Sequence, residues 1–140
     1  MEKNLNITAI IQARTASTRL PNKVLKKINE KTVLEIIYLR LKKSKLLSDI
    51  IFAIPNNKRE KKLKDFLKTK NYKFFAGSTD NVLDRYYKCA KKYKSNIIVR
   101  ITADCPLIDV KLVDDAITRF KKSKVDILTN NHPPTYPDGL

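Results

Sequence analysis

Short apolar runs alternate along the chain with longer amphipathic segments. This alternation predicts an α/β fold, in which a mostly parallel sheet is flanked by helices. The predicted strands are residues 6–13, 50–54, 73–76, 97–102 and 125–129. The predicted helices are residues 32–47, 58–69, 81–93 and 110–121. No internal repeat or linker interrupts the pattern, so residues 1–140 are expected to form a single domain.

Local signals mark several boundaries of these elements. Thr32 and Glu35 have the spacing of a capping box at the start of the first helix. Asp80 is expected to cap the third helix, and Pro55 is expected to end the second strand.

The first strand leads into a polar loop that carries three cations. Residues 7–13 are almost all apolar, as in a strand buried on both faces. Arg14, Arg19 and Lys23 follow this run. In open α/β sheets, ligands bind at the carboxyl edge of the strands, where such a loop lies. Because arginine binds phosphate oxygens in pairs and lysine adds a point charge, the loop predicts a site for the phosphates of a nucleotide.

A carboxylate follows the fourth predicted strand. Asp104 lies where this strand ends, and Pro106 forces the chain to turn, so the carboxylate is expected at the same edge as Arg14. Magnesium takes one or two protein carboxylates and fills its shell with phosphate oxygens and water. Asp104 is therefore a candidate magnesium ligand. The alternative is that Asp104 shapes the turn or caps the helix that begins near Asp109.

A glycine follows the third predicted strand. Gly77 is one of only two glycines in the chain, which marks a tight turn or a close approach to a ligand. Ser78 to Asp80 would then line the same edge of the sheet. A plain turn from a strand into a capped helix is the alternative explanation.

Composition narrows the class of protein. The formal net charge is +16, but the 30 basic residues comprise only 7 arginines, and the lysines are spread over predicted helix faces. This favours a solvated lysine-rich surface over a specific nucleic-acid site. No apolar run is long enough to span a membrane, and Cys89 and Cys105 form no paired motif. We expect free thiols and a cytoplasmic protein.

Four motifs in a fixed order resemble one family. They read QARxxSTRLPxK, FAGSTDNVLDR, RITADCPLID and YPDGL, and the resemblance spans residues 7–140. The order is similar to that of the cytidylyltransferases that activate acidic sugars, most closely the branch of spore-coat polysaccharide biosynthesis. The resemblance implies a Rossmann-like nucleotidyltransferase fold, similar to glycosyltransferases of the nucleotide-diphospho-sugar type. It also implies transfer of CMP from CTP to a sugar hydroxyl, with magnesium and with release of pyrophosphate.

The resemblance implies roles for individual residues. Arg14, Arg19 and Lys23 match the triphosphate-binding loop, and Asp104 matches the metal-binding aspartate; Arg14, Lys23 and Asp104 are the catalytic candidates. The remaining nucleotide-binding candidates, of which Gly77 and Ser78 match a segment near the base or ribose, are Gln12, Ala13, Ser17, Gly77, Ser78 and Arg100.

The chain also departs from the family pattern. Glycines that the family carries near Ala16, Asn22 and Glu30 are absent. A second metal carboxylate is missing unless Asp138 supplies it. Because family members continue past the YPDGL segment, we expect the chain to be an amino-terminal portion of such a protein.

Three alternatives stay open besides the sugar cytidylyltransferase. The first is a nucleotide-binding fragment that lacks catalysis. The second is a related glycosyltransferase, although the Asp-x-Asp motif typical of those enzymes is absent. The third is a basic nucleic-acid binder. The expected partners are CTP and a sugar, with no membrane and no specific nucleic acid, and a homodimer is left open as the oligomeric state.

Overall fold

The computed structural model describes residues 5–17, 20–137 and 139 of the chain. Within them lie six strands and four α-helices. The strands are β1 Ile7–Gln12, β2 Lys27–Ile28, β3 Lys31–Thr32, β4 Asp49–Pro55, β5 Phe74–Gly77 and β6 Ile97–Thr102. The helices are α1 Val33–Leu41, α2 Lys61–Thr69, α3 Val82–Lys92 and α4 Val110–Lys122, and two short 3-10 helices span Lys23–Leu25 and Lys58–Glu60.

A four-stranded parallel sheet in the order β5-β4-β1-β6 forms the centre of the fold. Strand β1 pairs with β4 on one side and with β6 on the other, and helices cover both of its faces. This position explains its mostly apolar sequence, since Ala9, Ile10 and Ile11 are fully buried. The predicted α/β fold with a mostly parallel sheet is confirmed.

The two faces of the sheet are covered unequally. Helices α1, α2 and α4 pack on the face of Ala9 and Ile11, where they form the larger core. Helix α3 alone packs on the opposite face, where Tyr86 and Cys89 cover Ile10. The outer strand β6 is therefore less covered on the α3 side, and Ile98 is partly exposed there.

The predicted strand at residues 125–129 is wrong. The segment forms no regular element, and Val125, Ile127 and Leu128 are exposed. Its β-branched residues suit a strand, but a strand also needs a neighbour to pair its backbone groups. None of the described strands pairs with these residues.

The predicted first helix is too long. Helix α1 ends at Leu41 and not at residue 47. The Ser44 hydroxyl accepts the backbone N–H groups of Leu46 and Leu47 and donates to the Asp114 carboxylate, so local side-chain bonds replace the helical ones. The turn brings the chain back to β4.

Other boundaries differ in smaller ways. Asn81, not Asp80, caps α3, because its side chain accepts the N–H of Asp84. The short β2-β3 hairpin was not predicted; Asn29 forms its turn with φ of 56°. Pro55 is the last residue of β4, as predicted. No described helix combines the length and apolar composition required to cross a bilayer.

Among the residues that the structure describes, four other than glycine adopt the left-handed backbone region. They are Asn22, Asn29, Asn71 and Lys94, with φ between 53° and 56°. Asn71 and Lys94 end helices α2 and α3, where the following N–H groups bond back to helix carbonyls. Asparagine is among the non-glycine residues that enter this region most readily.

The capping box of α1 is confirmed and is part of a larger ion pair. The Thr32 hydroxyl accepts the Glu35 N–H, and the Glu35 carboxylate accepts the Thr32 N–H at 2.9 Å. Lys70, at the end of α2, lies 2.6 Å from the same carboxylate. The hydrogen bond from Lys70, followed by those from Thr32, lowers the pKa of Glu35 from 4.5 to about 2 despite partial burial.

We expect Glu35 to make folding stability depend on acid pH. Because its folded pKa is lowered, its contribution is complete above about pH 5 and is lost as the pH falls towards 2. Glu35→Gln should lower the free energy of unfolding by about 1 kcal/mol at pH 7 and flatten this part of the profile. Urea denaturation from pH 7 to 2.5 measures both. Identical slopes in the two proteins would contradict the assignment.

The two cysteines are free and differ in burial. Cys89 is fully buried against the sheet, and burial raises the pKa of its thiol to about 11, whereas Cys105 is half-buried. We expect one thiol per chain to react with an aromatic disulfide reagent at pH 8 in the native protein, and two in denaturant. Cys105→Ser should abolish the native reaction. Fast reaction of both native thiols would contradict the packing of α3.

Candidate functional site

The loops that follow β1, β4, β5 and β6 emerge at one edge of the sheet, because these strands are parallel. The loop after β1 runs through residues 13–17, and residues 103–109 follow β6 beside it. The loops after β4 and β5 continue the same edge on the other side of β1. Such an edge is the usual ligand site of an open α/β sheet.

An ion pair joins two of the predicted site residues. Lys23 Nζ lies 2.8 Å from Asp104 Oδ2, although the two residues are far apart in the sequence. The side chains keep 35% and 48% of their exposure, so both groups are accessible from solvent. The hydrogen bond from Lys23, with a smaller contribution from Thr102, lowers the pKa of Asp104. Asp104 is therefore ionised at neutral pH.

The end of β1 holds the next three predicted residues. Gln12 is the half-buried last residue of the strand, and the buried Ala13 extends the sheet by donating its N–H to the Ala53 carbonyl at 3.2 Å. Arg14 is exposed immediately after it. The chain thus places an unburied guanidinium on the carboxyl edge of the central strand.

Local hydrogen bonds hold the described remainder of the cationic loop. Ser17 Oγ accepts the Leu20 N–H at 3.3 Å, and the Thr15 carbonyl accepts the Asn22 N–H at 3.0 Å. Asn22 has φ of 54°, a conformation that glycine adopts freely and asparagine tolerates. The loop can therefore adopt this conformation with Asn22 at the position near which the family carries a glycine. Arg19 and Asp138 lie outside the described residues.

Glu60 is a site residue that sequence reasoning missed. It is only 1% exposed, and its Oε2 accepts the N–H of Thr15 at 2.9 Å. Asn57 in turn caps Glu60, since its Oδ1 accepts the Glu60 N–H at 3.3 Å. The spacing of Asn57 and Glu60 is a helix-start signal, but nothing in the sequence connects it with the loop after β1.

Gly77 and Ser78 lie where β5 meets α3. A Cβ atom on Gly77 would lie 2.6 Å from the Phe75 ring and 3.1 Å from Arg85 Cγ, so the glycine makes room for these side chains. Ser78 Oγ accepts the Asn81 N–H at 3.0 Å, and the Ser78 carbonyl accepts a hydrogen bond from Arg85 Nη1 at 2.5 Å. Sequence reasoning assigned no role to Arg85.

Arg100 does not lie at the carboxyl edge with the other candidates. It pairs in register with Ile10, two residues before the end of both strands, and its guanidinium lies 5.6 Å from the centre of the Tyr86 ring. This contact is a cation–π interaction on the α3 face of the sheet. Arg100 is exposed on β6, and its role in nucleotide binding stays a prediction.

The donor set for a metal is small. Within residues 5–17, 20–137 and 139, no cluster of three or more His, Cys, Asp or Glu side chains has the geometry to hold a metal ion. Asp104 does not cap α4, because the Asp109 side chain accepts the Lys111 N–H at the start of that helix. A single exposed carboxylate beside a cationic loop fits an ion that takes most of its ligands from phosphate and water.

Several known proteins are similar to this chain. MJ1063 of Methanocaldococcus jannaschii, an uncharacterised protein, is 41% identical over 91% of this chain and 53% of its own length. The spore coat polysaccharide biosynthesis protein SpsF of Bacillus subtilis is 34% identical over 78% of this chain and 47% of its own length. The 3-deoxy-manno-octulosonate cytidylyltransferase of Geobacter sulfurreducens is 32% identical, with 81% and 44% covered.

A solved structure agrees with these relatives. The cytidylyltransferase of Leptospira borgpetersenii superposes with a TM-score of 0.79 and 34% identity, over 86% of this chain and 50% of that one. The chain thus spans about half the length of the proteins it matches. A family model described as cytidylyltransferase matches residues 8–135, nearly the whole sequence, and the chain therefore belongs to the cytidylyltransferase family.

Proposed function

We propose that this protein binds CTP and transfers CMP to a hydroxyl group of an acidic sugar, with release of pyrophosphate. The observation that carries the proposal is the Lys23–Asp104 ion pair, which shares the carboxyl edge of the sheet with the exposed Arg14. It combines two phosphate-binding cations with one ionised carboxylate. Membership of the cytidylyltransferase family supports CTP as the nucleotide.

The names of the relatives support the choice of sugar and pathway class. Several are 3-deoxy-manno-octulosonate cytidylyltransferases, which act on an acidic sugar, and one is a spore coat polysaccharide biosynthesis protein. We therefore propose an acidic sugar destined for a surface or spore-coat polysaccharide as the acceptor. A panel of such sugars in a pyrophosphate-release assay tests this choice.

The chemistry requires alignment and charge neutralisation more than a strong base. The sugar oxygen forms a bond to the α-phosphorus of CTP, and the bond from this phosphorus to the bridging oxygen of the β-phosphate breaks. Negative charge then accumulates on the departing pyrophosphate. Arg14 and Lys23 would bind these phosphate oxygens and stabilise that charge.

Asp104 is the residue that would hold a magnesium ion at this edge. When bound there, magnesium would neutralise phosphate charge and act as a Lewis acid. The Lys23–Asp104 pair is partly exposed, and such pairs contribute little to stability, so exchanging it for new partners costs little. On CTP binding, Lys23 Nζ would move from the carboxylate to a phosphate oxygen and leave Asp104 free to accept the ion.

We expect Lys23→Ala to weaken CTP binding by about 10-fold to 100-fold, because a charge-assisted hydrogen bond contributes about 1.5–3 kcal/mol. Isothermal titration calorimetry with CTP measures the change. Lys61→Ala is the matched control, since Lys61 is 80% exposed on α2 and pairs only with Asp65 one turn away. Equal effects of the two substitutions would indicate a diffuse polyanion surface and contradict a nucleotide site.

We expect Asp104→Asn to separate the proposed binding of phosphate by Lys23 from the proposed binding of magnesium by Asp104. Without magnesium, CTP binding should be unchanged or stronger, because the substitution removes a negative charge near the phosphates and frees Lys23. The gain in affinity produced by magnesium should be lost. Titrations with CTP in chelator and in magnesium chloride measure both quantities. An undiminished magnesium effect in the variant would rule out Asp104 as the ligand.

A pyrophosphate-release assay with CTP, magnesium and the sugar panel then tests turnover. Release that depends on one sugar supports the cytidylyltransferase reaction. CTP binding without release from any sugar favours a nucleotide-binding role without catalysis for this chain.

A further inference from the structure

Arg85 is a buried cation with an unusual bonding pattern. It lies one turn into α3, is 1% exposed, and is the bulkiest of the fully buried side chains. Among the described residues no carboxylate forms an ion pair with it, and its Nε has no hydrogen-bond partner. Burial and the charge of Arg14 lower the pKa of Arg85, whereas the negative charge of the buried Glu60 favours the charged guanidinium. Burying an underbonded guanidinium is costly, so packing alone does not explain it.

The side-chain hydrogen bond that Arg85 makes to a described residue fixes a peptide group at the ligand edge. Its Nη1 donates to the Ser78 carbonyl, which draws that oxygen towards the protein interior. In a planar trans peptide the N–H points opposite to the carbonyl. The N–H of Thr79 is therefore directed away from the interior, towards the open edge of the sheet. Thr79 is exposed, and this N–H bonds to no other described residue.

Hydrogen bonds connect this peptide with the cationic loop. Asn57 Nδ2 donates to Thr79 Oγ1 at 3.4 Å, and Asn57 Oδ1 accepts the N–H of Glu60. The buried Glu60 carboxylate holds the N–H of Thr15, next to Arg14. These hydrogen bonds fix the loops after β1, β4 and β5 relative to one another.

Spacing along the edge indicates which part of a nucleotide reaches Thr79. The ion pair of Lys23 and Asp104 lies by β1 and β6, whereas Thr79 follows β5 at the other end of the sheet. Neighbouring strands are about 4.8 Å apart, so β5 and β6 are separated by about 14 Å. A nucleotide with its triphosphate at Arg14 and Lys23 would extend its nucleoside towards Thr79.

We propose that Arg85 is a positioning residue that aims the backbone N–H of Thr79 at a carbonyl oxygen of the nucleotide base. The inference rests on the proposed binding of CTP and adds a specific donor for its nucleoside end. Glu60 and Asn57 hold this donor in register with the phosphate-binding loop. Gly77 is required because a side chain there would collide with Phe75 and displace Arg85.

Amide NMR on the ¹⁵N-labelled chain tests the direction of the Thr79 N–H. CTP and cytidine should both shift the Thr79 amide proton, and inorganic tripolyphosphate should not. A response to tripolyphosphate alone would assign the donor to phosphate and overturn the inference. If calorimetry shows that CTP binds but Thr79 is silent, the inference fails and the nucleotide site stands. If CTP does not bind at all, both fail.

Substitutions test the role of Arg85 itself. Arg85→Met should weaken CTP binding by about tenfold, the value of one hydrogen bond near 1.4 kcal/mol, and leave tripolyphosphate affinity unchanged. Arg85→Lys should recover part of the loss. Lys88→Gln removes a charge from the solvent side of the same helix and should change neither affinity. An equal loss for tripolyphosphate, or full recovery with lysine, would reveal a simple charge effect and overturn the assignment.

A second pair of variants does not touch the core. Thr79→Pro deletes the N–H, and Thr79→Ala keeps it while removing the hydroxyl that Asn57 contacts. Only the proline variant should lose CTP affinity by a factor similar to that of Arg85→Met. Equal affinities of the proline and alanine variants for CTP would overturn the inference even if Arg85→Met fails to fold.

Discussion

The parallel pairing of β1 between β4 and β6 determines where the candidate site lies. Residues 8–12 of β1 each have a partner on both sides, so the strand cannot shift without breaking two ladders of hydrogen bonds. Because every strand of this sheet runs the same way, every following loop opens on the same edge. Lys23 and Asp104 meet there even though most of the chain separates them.

Most of the fold could be predicted from the sequence because β1, β4 and the amphipathic helices are governed by burial. A mostly apolar run such as residues 7–13 fits a strand with neighbours on both sides. Residues 125–129 show the limit of that reasoning, since a β-branched segment becomes a strand only if another strand pairs with it. The early end of α1 depends on Ser44 and Asp114, whose contact joins residues 70 apart.

The candidate site could be predicted only where a side chain follows directly from the end of a strand. Arg14 and Asp104 were accessible to that reasoning, and the four ordered motifs gave the family, which is confirmed. Glu60 was not accessible, because it acts on the loop that follows another strand. Arg85 was not accessible, because nothing in the sequence shows that its side chain turns back from α3 to the Ser78 carbonyl. The register of Arg100 with Ile10 could not be predicted either, and its role in nucleotide binding stays a prediction.

The left-handed residues have a consequence for the unfolded chain. With asparagine or lysine at four such positions and only two glycines in the sequence, the polypeptide has fewer backbone conformations to lose on folding. Some strain is retained at each turn in exchange. Asn22 lies in the cationic loop, at the proposed ligand site. A glycine there would give the loop more backbone conformations in the absence of a nucleotide. A loop ordered before the nucleotide arrives has less entropy to lose on binding it.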